Sequence, residues 1–382
     1  MLTEDASDET VALPRPELIG YDAQKRRHPM SAPRYAPSAL IDFSQKALEK
    51  AGLPAEMAHC VALTLVEGDL LGHDTHGLNL LAPYVREVQS GSMTASGGPK
   101  VLSDKPAALW WDGQRLPGPW LVKQGMDALM PRARELGCAS LAIKRSHHIA
   151  CLAVYLRWAL EQGFLMLLAS SDNNSASVAP FGGTQAVFTP NPLALGFPLS
   201  DGGVMVDISA SITTNNMLNR KKAAGETYAH PVLMDAQGLP TNDPAVLSQD
   251  PPGTLLPVGG LTHGHKGFGL ALLVESMTAG MAGRGRVDPK EGWGATVHMT
   301  LYHIDSFCGL PEFKRQMDHV AQLCRGNRPI HADQPVRMPG DKGYRNLRQQ
   351  SETGVVLHPS IWPQLEPMAA SLGVPLPQAL KT

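Results

Sequence analysis

Apolar positions recur at helical spacing as soon as the chain becomes organised. Over 54–71, Met57, Cys60, Val61, Leu63, Thr64, Val66 and Leu70 approximate a 3.6-residue period, and Gly72 ends the run. Ser38 can cap a helix predicted over 39–51 that Gly52 closes. A third helical stretch covers 78–88, so residues 36–90 read as a helical cluster. Loops and short strands follow over 91–113, around a strand at 107–111. Helix periodicity returns at 121–136, then a strand at 138–143, a long helix at 149–162 and an apolar strand at 164–170. The stretch 180–198 is rich in Gly, Pro and Asn and carries no predicted element. Beyond it come a strand at 204–208, a polar, turn-rich segment at 219–254, a strongly apolar helix at 270–281 and an alternating strand at 297–304. From Pro311 the tail is helical, looped and helical again. Strands and helices alternate irregularly, with loops of many lengths, which favours an α+β fold over a doubly wound sheet. No internal repeat or low-complexity tract interrupts the pattern.

Composition narrows the classes. The chain has 382 residues, more than one compact core usually serves, so two domains are expected. Residues 1–34 are polar and proline-containing, with the basic run Lys25–Arg26–Arg27–His28, and read as an N-terminal extension. Residues 35–115, completed by 305–382, are expected to form a helical, substrate-facing domain, and 116–304 an α+β cofactor-binding domain. The 33 basic residues nearly balance the 35 acidic ones, which argues against nucleic acid or an anionic membrane as the main partner. No apolar run reaches the roughly 18–20 residues that a membrane span needs. The opening MLTEDASDET is acidic and lacks a signal peptide's basic and apolar regions. A cytoplasmic location is therefore expected. Cys60, Cys138, Cys151, Cys308 and Cys324 are scattered, never in a CxxC pair, and fit reduced thiols.

Five constellations could carry chemistry. In Gly72–His73–Asp74–Thr75–His76–Gly77, a histidine beside a hydroxyl has the parts of a proton donor, or the Asp–Thr pair simply caps a helix. His73 and His76 alone do not make a metal site, and no metal is expected. Ser146–His147–His148 precedes the predicted long helix, whose amino end suits an anion and which Ser146 can cap. Asp172–Asn173–Asn174–Ser175, with Phe181–Gly182–Gly183 behind it, reads as a ligand-lining turn or a plain loop. In Asp207–Ile208–Ser209–Ala210–Ser211 the acid can accept from a ribose hydroxyl or cap a helix. The glycine-rich run 259–269 places Lys266 before an apolar helix, as in an anion or nucleotide site or a structural turn. There is no GxGxxG between a strand and a helix, no GxSxG and no HExxH, so a Rossmann half is not supported.

In order, the segments GHDTHGLNLLAPYV, SHHIACLAVYL, APFGGTQAVFTPNPLALGFP, VDISAS, GHKGFGLALLVE and VRMPGDKG resemble the malate/L-lactate dehydrogenase type 2 family, from about Tyr35 to about Val374. The resemblance implies a non-Rossmann fold in which a helical domain intertwines with an α+β domain. It also implies a homodimer, NAD or NADP as cofactor, and hydride transfer on a small 2-hydroxy or 2-keto acid. It makes His76 the proton donor, assisted by Thr75, with His148 in the cleft as a possible proton acceptor. Cofactor contacts are implied at His148, Ile149, Asp207, Ile208, Ser209, Gly264, His265, Lys266, Gly340, Asp341 and Lys342, and substrate contacts at Asn191 and position 80.

Three departures concentrate at the substrate end. Many members carry an arginine four residues after the catalytic histidine, and Leu80 cannot replace its bidentate grip on a carboxylate. Thr189–Pro190–Asn191–Pro192 stands where members have Gly-Thr-Asn-Pro, and Asn215–Asn216–Met217 where some place a relay acid. Arg220, Lys221 or Lys222 could supply the missing cation. Two other readings stay open: a metal-dependent hydrolase built on His73, His76, His147, His148, His263 and His265, and a cofactor-binding relative with altered catalysis.

Overall fold

A buried helix organises the amino-terminal part of the chain. The computed structural model describes residues 32–381. The basic run at 25–28 lies outside them. α1 (Pro37–Ala51), α2 (Ala55–Leu71) and α3 (Leu81–Gln89) form the cluster that the periodicity predicts. α2 is covered on nearly every face, because its apolar residues are joined by Ala58, Ala62, Thr64 and Gly68, which let neighbours approach closely. It ends in a Schellman turn: Gly72 is left-handed, its N–H reaches Asp69 O, and the His73 N–H reaches Gly68 O.

The next strands, β1 (Lys100–Asp104) and β2 (Ala108–Asp112), lead into α4 (Gly118–Leu136), β3 (Cys138–Ser146), α5 (Leu152–Leu160), β4 (Phe164–Ser171), β5 (Pro192–Leu199) and β6 (Gly202–Ser209). A polar excursion holds α6 (Asn215–Ala223) and a small sheet of β7 (Leu233–Met234), β8 (Pro240–Thr241) and β9 (Thr254–Leu255). α7 (Gly260–His263), α8 (His265–Glu275), β10 (Ala295–His303), α9 (Leu310–Arg325), α10 (Asp341–Thr353) and α11 (Trp362–Leu372) complete the chain.

The main sheet runs β1-β2-β3-β10-β4-β5-β6, antiparallel except where β2 pairs with β3. β10 alternates as predicted. Met299 faces α4, where Gly125 leaves room for it, while the odd-and-even pleat turns Thr296, His298 and Thr300 to the opposite face. A π-helical turn, Ser276–Gly280, covers that face and joins its Thr278 hydroxyl to Ser171 at 2.7 Å. α10 and α11 return to the amino-terminal helices.

Three elements differ from the sequence reading. β5 lies inside the Gly/Pro/Asn-rich stretch, tolerated because Pro192 opens the strand and Pro198 sits near its end. α5 begins at Leu152 rather than 149, because Ala150 has a positive φ of 58° that breaks the helical path. Ser146 therefore does not cap α5, and its hydroxyl donates to His147 O instead. The main sheet also crosses position 115, since β2 pairs with β3.

An ion pair between α2 and α5 ties the helical cluster to the sheet. Glu67 accepts from Arg157 Nη2 at 2.5 Å and from Trp158 Nε1 at 2.8 Å. Removing one partner of such a pair strands a charge in a poorly hydrated place. Glu67→Ala should therefore cost about 3 kcal/mol in denaturant unfolding. A loss below about 0.5 kcal/mol would show that water replaces the pair freely.

Candidate active site

β3, β4 and β6 finish, and β5 and β10 begin, at the same end of the main sheet. The pairings Ala295↔Ser146, Thr296↔Ser171 and Pro192↔Ser209 fix this alignment. A cavity of about 430 Å³ opens there, within the range of small-molecule and cofactor sites. Its wall carries Ser170, Ser171, Asp207 and Ser209 from the strands, His73, Thr75 and His76 from the loop after α2, and His148 to Leu152 from the segment entering α5.

The histidine loop is held from beneath. Asp69, fully enclosed on the last turn of α2, accepts the Leu78 N–H at 2.7 Å and so clamps the far end of the loop. Burial raises its pKa well above the usual carboxylate range, against the opposing pull of that N–H. Gly77 makes the clamp possible, because a Cβ there would stand 2.4 Å from Asp69 Cγ. On the loop, Thr75 Oγ1 and His76 Nδ1 are 2.9 Å apart, which leaves His76 Nε2 for a ligand. Asn216 Nδ2 donates to Thr75 O at 3.1 Å.

His148 faces His76, with near-parallel rings whose centroids are 5.9 Å apart. Tyr84 Oη lies 2.8 Å from His148 Nδ1, and the Ala150 N–H donates to the same nitrogen at 3.3 Å. A backbone N–H can only donate, so Nδ1 accepts and the ring proton sits on Nε2. Trp293 closes the far side, 4.8 Å from the His148 ring. Gly118 lets the amino end of α4 press on this segment, since its Cβ would meet His148 O at 2.3 Å. Desolvation lowers the pKa of all three ring systems here. His76 is shifted down by burial and by His73, against Asp207 and Asp74; His148 lies well below its ordinary value; buried His147, beside Arg115, falls to about 3.

Asp207 stands at the end of β6, and its Oδ2 accepts the Ala153 N–H at 3.2 Å. It thus caps the first turn of α5 from another element. Ser209 shares its face and lines the cavity, whereas Ile208 points the other way and is 44% exposed. α6 brings its amino end to the wall through Thr214, Asn215 and Asn216.

The other expected residues lie elsewhere. Leu80 is packed in the core of the helical cluster. Asn191 is buried behind the wall, accepting from Thr189 and donating to Glu275. Gly264 packs on Phe181, and His265 and Lys266 are exposed on α8. Gly340 and Asp341 open α10 beside the start of β6, where Asp341 pairs with Arg325 at 2.6 Å, and exposed Lys342 follows. Arg220 is tied to Asp74 at 3.1 Å, Lys221 to Glu226 and Lys222 to Ser248. No lysine or arginine is among the cavity's lining residues. Of the six histidines of the hydrolase reading, only His73, His76 and His148 line the cavity.

Asp69, Tyr84 and Trp293 were missed in the sequence. Asp69 left a signal, a carboxylate among the apolar residues that close the helix. Tyr84 looked like one more core position, and Trp293 sits in a Gly-flanked turn without periodicity.

A family model described as malate/L-lactate dehydrogenase matches residues 35–366. An L-lactate dehydrogenase of Cupriavidus necator is 30% identical over 86% of this chain and 94% of its own length. A malate dehydrogenase structure from Entamoeba histolytica superposes with a TM-score of 0.85 at 22% identity, covering 91% of this chain and 100% of that one. At that identity it speaks to the fold alone. A delta1-piperideine-2-carboxylate reductase from Pseudomonas syringae matches with a TM-score of 0.76 at 25% identity, covering 88% of this chain and 99% of that one.

The clamp under the histidine loop can be tested directly. Gly77→Ala forces Asp69 or the loop to move, at about 1–3 kcal/mol by denaturant unfolding. It should also shift the His76 imidazole resonance. A variant as stable as the parent, with that resonance unmoved, would show that Asp69 does not bear on the loop.

Proposed function

The chain belongs to the malate/L-lactate dehydrogenase family, and we propose that the cavity at the end of its sheet is where this oxidoreductase acts on the CH–OH group of a small 2-hydroxy acid, with His76 moving the proton. Family membership makes it a nicotinamide-dependent enzyme. The observation that carries the site assignment is the Thr75–His76 pair facing His148 in the wall of a cavity that Asp207 also lines.

The residues present fit such a cofactor. The cavity volume suits a nicotinamide with a small acid, its strand-end wall is hydroxyl-rich, and Asp207 offers an acceptor. His148, Ile149, Asp207 and Ser209 would hold it, and Ile208, Gly264, His265, Lys266 and residues 340–342 would serve only along a longer extension or in an assembly. When bound, the nicotinamide ring supplies or accepts the hydride. Neutral His76 takes the hydroxyl proton on Nε2 in oxidation and returns it in reduction, while Thr75 accepts from Nδ1–H in the charged state. Asp207 favours that charged state. His148, with its proton on Nε2, donates a hydrogen bond to the reacting oxygen rather than taking its proton. The amino end of α6 and the Asn215 and Asn216 amides meet the substrate carboxylate where position 80 cannot.

The reading extends to assembly and location. Leu261, Leu272, Leu273 and Met281 are exposed along α7, α8 and the turn that follows, and a second copy would cover them in a homodimer. Scattered free cysteines fit the cytoplasm. No helix among the described residues is long and apolar enough to cross a membrane.

Titration with NADH and with NADPH, followed by a panel of 2-keto and cyclic imino acids, tests the assignment and decides between the two cofactors. His76→Ala should lower turnover on the order of 10²–10⁴-fold with cofactor affinity nearly unchanged. Near-parental turnover would remove His76 from the mechanism, and cofactor binding without turnover on any acid would favour the altered relative. The pH profile carries a second expectation. Reduction needs protonated His76, whose pKa lies below 6.5, so kcat/KM for reduction falls, and for oxidation rises, as pH passes upward through that lowered value. Asp207→Asn removes a raising influence and moves both limbs to lower pH; limbs that stay in place would mean that another group titrates. Leu272→Glu with Leu273→Glu should yield a monomer in light scattering, and a monomeric parent would dismiss the dimer.

A further inference from the structure

We propose that His73, Cys151 and Asp207 form a site for a soft divalent cation, zinc being the best match, whose occupancy blocks the cavity. The three come from distant parts of the chain: the turn after α2, the residue capping α5, and the end of β6. One ligand atom from each lies within 4.8 Å of the others. Ligand atoms around a tetrahedral zinc stand about 3.3–3.8 Å apart, from bonds of about 2.0–2.3 Å. Small side-chain rotations close the difference.

The donor set is selective. Thiolate and imidazole favour zinc over magnesium or calcium, which prefer all-oxygen shells. The site is also supported from behind. The Ala153 N–H holds one oxygen of Asp207 and leaves the other for a cation, as outer-shell donors do in metal sites. The backbone of His73 is pinned through Gly68 O and the His76 N–H, while its side chain is half-buried at the cavity wall. Cys151 is nearly inaccessible to bulk solvent at 2% exposure, yet its side chain lines the cavity. Binding replaces the thiol proton by the metal: the S–H bond breaks, the S–Zn bond forms, and one proton leaves to solvent. The fourth position faces the cavity, where water completes the shell.

Such a cation draws Asp207 away from His76 and fills space that cofactor and substrate need. Inhibition is the expected consequence, and only that consequence rests on the dehydrogenase reading. Binding itself does not.

The test is a cobalt and zinc titration of the full-length protein with its thiols reduced. One cobalt should bind with a thiolate-to-metal charge-transfer band. Cys151→Ala should abolish that band and weaken zinc by more than the roughly 10–100-fold that an outer-shell change costs. His73→Ala should keep the band but weaken the metal, and Cys138→Ala should change neither. Zinc should suppress turnover of the parent reversibly, with chelator restoring it, and suppress Cys151→Ala far less relative to that variant's own metal-free rate. A cobalt complex without a thiolate band, or equal zinc affinity in parent, Cys151→Ala and His73→Ala, would overturn the site. Tight thiolate-bound metal with no turnover on any acid would keep the site and instead count against the catalytic reading.

Discussion

The carboxyl group of Asp69 is the constraint on which the site depends. It lies inside the protein near the end of α2, and its visible return is one hydrogen bond from the backbone of Leu78. An enclosed carboxyl is expensive to desolvate, so the fold retains it only where it fixes something. What it fixes is the return of the chain after the Schellman turn. With Gly72 setting the exit from α2 and Asp69 holding the entry to the next turn, the intervening loop has little freedom, and Thr75 and His76 inherit that order. Gly77 belongs to the same arrangement, because no side chain fits between the loop and the carboxyl.

The sheet contributes the opposite wall by register alone. Five strands start or stop at one level, so short polar side chains from several of them surround a space that no single strand could enclose. Burial then sets the electrostatics. His76, His147 and His148 are all held toward their neutral forms, and at His76 the Asp207 carboxylate opposes that shift. A neutral imidazole that regains its proton only when a nearby carboxylate and an anionic ligand help is suited to reversible proton transfer near neutral pH.

Much of this was legible in the chain because it is local. Helices with one apolar face, the alternating strand over 297–304 and the short motif around His76 each carry their signal within a few residues. What escaped depends on long-range pairing. β5 was hidden because its prolines and glycine read as irregular, and only its two neighbours make it a strand. The start of α5 was displaced by the backbone of Ala150, a conformation that its identity does not announce. The resemblance implies Asp207, Ile208 and Ser209 alike, although strand alternation turns Ile208 away from the cavity. Tyr84 and Trp293 act only through their proximity to His148, which no spacing in sequence encodes.

The absence of an arginine at position 80 has a structural logic. Leu80 is not a truncated contact left facing the cavity; it is packed into the helical core, so the turn after the histidine loop contributes stability where an arginine would contribute charge. Of the three cations that the sequence offers on α6, Arg220 binds Asp74, the residue before Thr75. Its charge is largely spent on that pair, and its effect on a ligand is indirect, through the position of the loop. In the proposed reading, carboxylate recognition falls to neutral donors and to the amino end of α6, whose hold is weaker and less directional than a bidentate guanidinium.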